Sequence, residues 1–162
     1  MSRFLVLRIS LVAFSAIFLA SWAAASDLPS AAQWQGKYPF DLKPGFYENA
    51  ALRDAGTRML GAKAYKDILL GWNTAAPILA EGGTLMAWSC KPHDCGENNQ
   101  ATLIDGDAVR ICIYQKSKIT WYVPDNARPL TKAVTNASPP ALAKGCNFQT
   151  IDEARQSLKA IH

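Results

Sequence analysis

The spacing of apolar residues changes once along the chain, from about every third or fourth position to every second position. Between residues 49 and 72 the spacing is that of helices with one buried face. We predict one helix over residues 49–60. A second helix is indicated by four residues at i, i+3, i+4 and i+7, namely Tyr65, Ile68, Leu69 and Trp72.

From residue 78 onward, apolar residues alternate with other residues, which is typical of strands. Five segments show this alternation, at residues 78–81, 84–90, 100–104, 108–115 and 119–123. Gly82-Gly83 and Asp105-Gly106-Asp107 are turn sequences between neighbouring segments. Short connections make successive strands antiparallel, so we predict a five-stranded antiparallel sheet with meander topology.

The end of the chain returns to a helical pattern. Thr150 and Glu153 form a capping box, and an apolar stripe follows at Ile151, Ala154, Leu158 and Ile161. Residues 124–146 contain four prolines and no clear period, so we predict a long loop there. Helices before and after a meander indicate an α+β fold, with the helices packed on one face of the sheet.

The first 25 residues differ in character from the rest. Arg3 and Arg8 precede an apolar run, and Ala23 and Ala25 match a small-residue cleavage site, as in a secretory signal peptide. The apolar run is shorter than the roughly 20 residues that span a bilayer. We therefore expect export, cleavage after Ala25, no membrane attachment afterwards, and a single domain over residues 26–162.

Charge argues against one class of partner. The chain has 17 Lys and Arg and 13 Asp and Glu, and the predicted signal peptide removes Arg3 and Arg8. The remaining net charge of +2 is small, and no basic stripe alternates with aromatic residues, so we expect no nucleic-acid partner.

All four cysteines lie in the predicted mature domain. An even number in an exported chain indicates two disulfides, for which three pairings are possible. The simplest pairing is Cys90–Cys95 with Cys112–Cys146. The long bridge would mainly stabilise the fold, and the short bridge would mainly fix the shape of a loop.

The sequence SCKPHDCG, residues 89–96, places one of the two histidines of the chain between two cysteines. It falls between two predicted strands, and Pro92 restricts its backbone. A Cys90–Cys95 bridge would close the base of a protruding loop that carries Lys91, His93 and Asp94. Such a pre-ordered loop loses little entropy when it binds a partner.

Other interpretations of this segment are weaker. A metal site of Cys90, His93 and Cys95 lacks a fourth ligand, and redox sites usually have two residues between their cysteines. His93 with Ser89 or Asp94 is too close in sequence for triad geometry. We assign no catalytic residue, metal or cofactor. A stapled hairpin with a merely solvated histidine stays open beside the preferred binding loop.

The run Cys90-Lys91-Pro92-His93-Asp94-Cys95 resembles the signature of the Ivy family, the inhibitors of vertebrate (C-type) lysozyme. The resemblance implies a periplasmic inhibitor, not an enzyme, that protects the peptidoglycan of a Gram-negative bacterium. It implies that the loop enters the lysozyme cleft with His93 at the catalytic carboxylates. Lys91 and Asp94 would contact the cleft walls, while Cys90, Pro92 and Cys95 would hold the loop shape.

Two other functions remain open at this point. One is a binding module of the same fold directed at another peptidoglycan-cleaving enzyme, such as a lytic transglycosylase. The other is a small thiol or metal enzyme. The sequence is compatible with a monomer or a dimer.

Overall fold

A seven-stranded antiparallel sheet is the central element of the computed structural model, which describes residues 27–124 and 128–161. The predicted signal peptide lies outside the described residues. The strands are β1 Thr74–Ala75, β2 Leu79–Glu81, β3 Thr84–Cys90, β4 Asn98–Asp105, β5 Ala108–Gln115, β6 Lys118–Tyr122 and β7 Leu130–Ala133. Strands β3 to β7 pair in sequence order, and both β1 and β2 pair with β3.

The five predicted strands are confirmed as β2 to β6, but the predicted number of strands is wrong because the sheet has seven. Strand β1 is only two residues long, too short for a period. Strand β7 is an edge strand in which Leu130 is half-buried and the next three residues are exposed, so it lacks an apolar alternation. It forms part of the region predicted to be a loop, as does a short helix, α4 Pro140–Ala143.

The other helices are α1 Ala31–Trp34, α2 Ala50–Leu60, α3 Ala62–Ala64 and α5 Ile151–Ile161. A 3-10 turn covers Phe46–Glu48, and α3 continues into a π-helix over Tyr65–Leu70. The two predicted helices before the sheet are thus present. In α2, Asn49 is the N-cap, and its Oδ1 accepts a hydrogen bond from Leu52 N at 2.9 Å.

Helix α5 begins as its sequence predicts. The Thr150 hydroxyl accepts a hydrogen bond from Glu153 N at 3.1 Å, and the Glu153 carboxylate accepts one from Gln149 N at 2.7 Å. The carboxylate therefore reaches one residue further back than in a standard capping box. Among the described residues, no helix is both long enough and apolar enough to cross a membrane.

The sheet separates two cores, so the prediction that the helices pack on one face is wrong. One core contains Leu85 and Ile111 with α1, α2 and the π-helix, and the other contains Met86 and Trp121 with α4 and α5. In strands such as β3, both sets of alternate positions are buried. Strands that are covered on both faces usually have nearly continuous apolar sequences. The alternation of apolar residues in this sequence instead suggested one covered face.

The Cys112–Cys146 disulfide lies in the second core, with its Cα atoms 5.8 Å apart and both residues fully buried. It attaches the segment after α4 to the middle of β5. The long connection after β6 is therefore fixed to the sheet at this point.

Candidate protein-binding loop

A seven-residue loop, residues 91–97, connects β3 to β4. The ladder ends where Cys90 pairs with Asn99, directly below the loop. Cys90 is fully buried in the sheet and bonds Cys95, a half-buried loop residue, with 4.9 Å between their Cα atoms. Both disulfides expected from the sequence are thus present, and the short one closes the base of the loop.

Hydrogen bonds within the loop fix its backbone. Lys91 N donates to Asn98 O at 3.0 Å, Asp94 N donates to Lys91 O at 3.0 Å, and Asn98 N donates to Asp94 O at 2.9 Å. These bonds and the disulfide restrict the loop without any partner. The segment therefore has a defined shape before binding.

His93 is at the exposed tip of this loop. Its backbone has φ of +64°, in the left-handed region that few residues other than glycine adopt. The residue is exposed, whereas its neighbours Pro92 and Asp94 are half-buried. The fold thus holds an imidazole outward on a strained and tightly bonded turn, an arrangement that is frequent at functional sites.

Asp94 points its carboxylate into the loop. Its Oδ2 accepts a hydrogen bond from Asn98 Nδ2 at 2.6 Å and lies 3.5 Å from Lys91 Nζ. The half-buried Asp94 side chain therefore supports the loop from inside. Lys91 is exposed, and its ammonium group is close enough to Asp94 to be partly compensated.

A buried polar network lies below the loop, on the face of the sheet that α2 covers. Gln100 Nε2 donates to Tyr47 Oη at 2.6 Å and to Ser89 Oγ at 2.7 Å. Thr102 Oγ1 donates to Gln100 Oε1 at 3.0 Å. Burial raises the pKa of Tyr47 to about 12. The sequence interpretation missed this network, although polar residues at core positions of two strands were a visible signal.

The same contacts bear on the weaker interpretations. Cys90 and Cys95 are joined in a disulfide, so neither is a free thiolate that could bind a metal ion. Ser89 is fully buried and bonds Gln100, and the Asp94 carboxylate bonds Asn98. The structure therefore does not bring either residue together with His93 as a catalytic pair. Among the described residues, no three His, Cys, Asp or Glu side chains form a cluster that could hold a metal ion.

The chain matches the model of a known protein family. The family model described as "Inhibitor of vertebrate lysozyme (Ivy)" matches residues 51–145, more than half of the 162 residues. The matched region begins in α2, includes the whole sheet and the loop, and ends just before Cys146. No curated protein and no solved structure matches significantly.

Proposed function

The chain belongs to the family of inhibitors of vertebrate lysozyme, and on that basis we propose that it inhibits C-type lysozyme in the periplasm by blocking the active-site cleft. The blocking element is the disulfide-bonded segment of residues 90–95, which forms most of this loop. Inhibition is by occupation, because the loop fills the place of the glycan and no covalent bond changes.

The observation that carries this proposal is the rigid, outward presentation of His93. A loop with a disulfide at its base and three internal backbone hydrogen bonds loses little conformational entropy on docking. Asp94 is bonded within the loop, so the imidazole is the prominent polar group at the tip. A protruding shape of this kind suits entry into a cleft.

The chemistry of the imidazole suits the target. A retaining glycosidase has two catalytic carboxyl groups about 5 Å apart. The two ring nitrogens point from opposite edges, so the protonated ring of His93 can donate one hydrogen bond to each carboxyl group. Charge-assisted bonds of this kind are about twice as strong as neutral ones. Lysine, with a single ammonium group, could not bridge the pair in the same planar way.

The direct test is the His93→Ala variant in an assay of residual C-type lysozyme activity. Each charge-assisted hydrogen bond contributes about 1.5–3 kcal/mol, so we expect inhibition to weaken by at least about tenfold. The melting temperature should stay the same because His93 is exposed. His162→Ala, which removes the other histidine of the chain, is the matched control and should inhibit normally.

Inhibition by His93→Ala at wild-type strength would refute the bridging role of the imidazole. The same assay with a lytic transglycosylase addresses the target. If the protein inhibited that enzyme and left C-type lysozyme fully active, the lytic transglycosylase, and not lysozyme, would be the target.

A further inference from the structure

Asn99 lies between the loop and the second disulfide. It is the second residue of β4 and only 1% exposed. Its Nδ2 donates a hydrogen bond to the carbonyl oxygen of Cys95 at 2.8 Å, and its Oδ1 accepts one from Cys146 N at 2.9 Å. Both ends of one buried amide are therefore used, each by a different disulfide-bonded segment.

The disulfide Cys90–Cys95 and the hydrogen bonds to Asn98 attach the loop only to the ends of β3 and β4, the two strands that carry it. A loop of fixed shape can still pivot about the two strand ends that carry it. The buried contact from Asn99 to the Cys95 carbonyl opposes such a pivot. The Oδ1 atom at the other end of the Asn99 amide is held by Cys146, which the Cys112–Cys146 disulfide fixes to β5.

A second side-chain contact to the loop base is less protected. Gln115 Nε2 donates to Asn98 Oδ1 at 3.1 Å, and both side chains are half-buried. Hydrogen bonds in a buried, low-dielectric environment are stronger, and an unpaired group there is more costly. Asn99 is thus the more effective of the two attachments.

We propose that Asn99 is a positioning residue that sets the orientation of the loop 90–95, and hence of His93, from the fixed point of the Cys112–Cys146 disulfide. The consequence for inhibition rests on the proposed function. An error of about 1 Å at a site that must bond two carboxyl groups weakens binding even when the loop keeps its own shape.

Asn99→Asp tests this role with almost no change in side-chain shape. The carboxylate can still accept from Cys146 N, but it has no donor for the Cys95 carbonyl and places two oxygens against each other. We expect inhibition of C-type lysozyme at neutral pH to weaken roughly tenfold, from the loss of one buried hydrogen bond. Asn147→Asp, an exposed substitution next to Cys146, is the matched control for charge and should inhibit normally.

A pH profile of inhibition separates positioning from a general loss of structure when the melting temperature of each variant is followed at every pH. A protonated carboxyl group regains a donor, and burial favours that neutral form. The inhibition ratio of Asn99→Asp to wild type should therefore recover as the pH is lowered from 7.5 towards 5. Measuring wild type at each pH corrects for the pH dependence of lysozyme itself and of the other charged groups near the loop, which are His93, Lys91 and Asp94. Asn99→Ala lacks the titrating group and should show no recovery.

Amide NMR signals of Lys91 and residues 93–97 give a readout that needs no target. They should shift in Asn99→Asp while those of residues 108–110, at the far end of β5 from Asn99, stay in place. Unchanged inhibition with unchanged loop signals would overturn the positioning role, as would an inhibition loss explained fully by unfolding. If wild type does not inhibit lysozyme, the proposed function fails, and the loop signals still decide the positioning role. If Asn99→Asp does not fold, Asn99→Ala provides the same comparison of signals and inhibition.

Discussion

Removal of the short disulfide distinguishes a loop that is held in shape for binding from one that is needed for folding. The variant Cys90→Ala/Cys95→Ala opens a bridge that spans five positions, compared with 34 for Cys112–Cys146. In terms of chain entropy, the short bridge stabilises by about 2 kcal/mol and the long one by about 4 kcal/mol. Because domains are usually stable by about 5–15 kcal/mol, the variant should still fold. Its melting temperature should fall by roughly 5–10 °C.

The effect on binding comes from the released backbone. The hydrogen bonds between Lys91, Asp94 and Asn98 remain, so the opened loop should be loosened and not fully disordered. Ordering one backbone residue again on binding costs about 1–2 kcal/mol. If about one residue is released, inhibition of C-type lysozyme should weaken roughly tenfold.

The assay compares inhibition at a temperature well below the melting transition of every variant. The matched control is Val109→Ala, which removes two buried methyl groups near the start of β5, far from the loop. It should cost roughly 2 kcal/mol of stability and leave inhibition unchanged. Wild-type inhibition by the opened loop would refute the argument from loop entropy. Complete unfolding of that variant would show that the bridge is essential to the fold.

Two further predictions concern the stability of the domain. Gly145 has φ of +62°, and an added Cβ would lie 2.5 Å from the Tyr114 ring. Gly145→Ala should therefore lower the free energy of unfolding, measured in urea, by roughly 3 kcal/mol. Gly36 has φ of +76° and open space around an added Cβ, so Gly36→Ala should lower the free energy of unfolding by only about 1 kcal/mol. Equal losses of stability in the two glycine variants would contradict the steric argument. Burial raises the pKa of Tyr47 from 10.0 to about 12. Between these two pH values the folded protein keeps the phenol proton of Tyr47, whereas the unfolded chain loses it. The contribution of Tyr47 to the free energy of unfolding should therefore be fully present below pH 10 and fall by roughly 2–3 kcal/mol as the pH rises through 12. Tyr47→Phe should remove this part of the decline.

The parts of the fold that sequence predicts well are those that depend on local signals. Periodicity and turn residues define β2 to β6, α2 and α5, because each segment has its own apolar pattern and end signals. Strand β1 has no such signal, since it exists through its pairing with Ser89 and Cys90. The two-sided burial of the sheet was missed because one apolar set in each strand already accounts for a single core.

The site shows the same division. The loop and its two cysteines can be identified from contiguous residues, and so can the exposed histidine. The residues that hold the loop in place cannot, because their contacts depend on strand register and on a distant segment. Asn99 lies next to Cys146 because the pairing of β4 with β5 and the second disulfide bring two distant segments together. No local pattern distinguishes it from an ordinary polar residue at the start of a strand.

The internal bonding of the loop also limits what the proposed mechanism can recognise. The backbone amides of Lys91, Asp94 and Asn98 are paired within the loop, and so is the Asp94 carboxylate. In the proposed mechanism, recognition therefore depends on the exposed side chains of the loop, mainly on the imidazole of His93 with its two donors. If only one donor of His93 found a carboxyl group, the other would be left buried and unpaired, at a cost comparable to the bond gained. The proposed bridge is therefore favourable only where one carboxyl group lies at each of the two ring nitrogens.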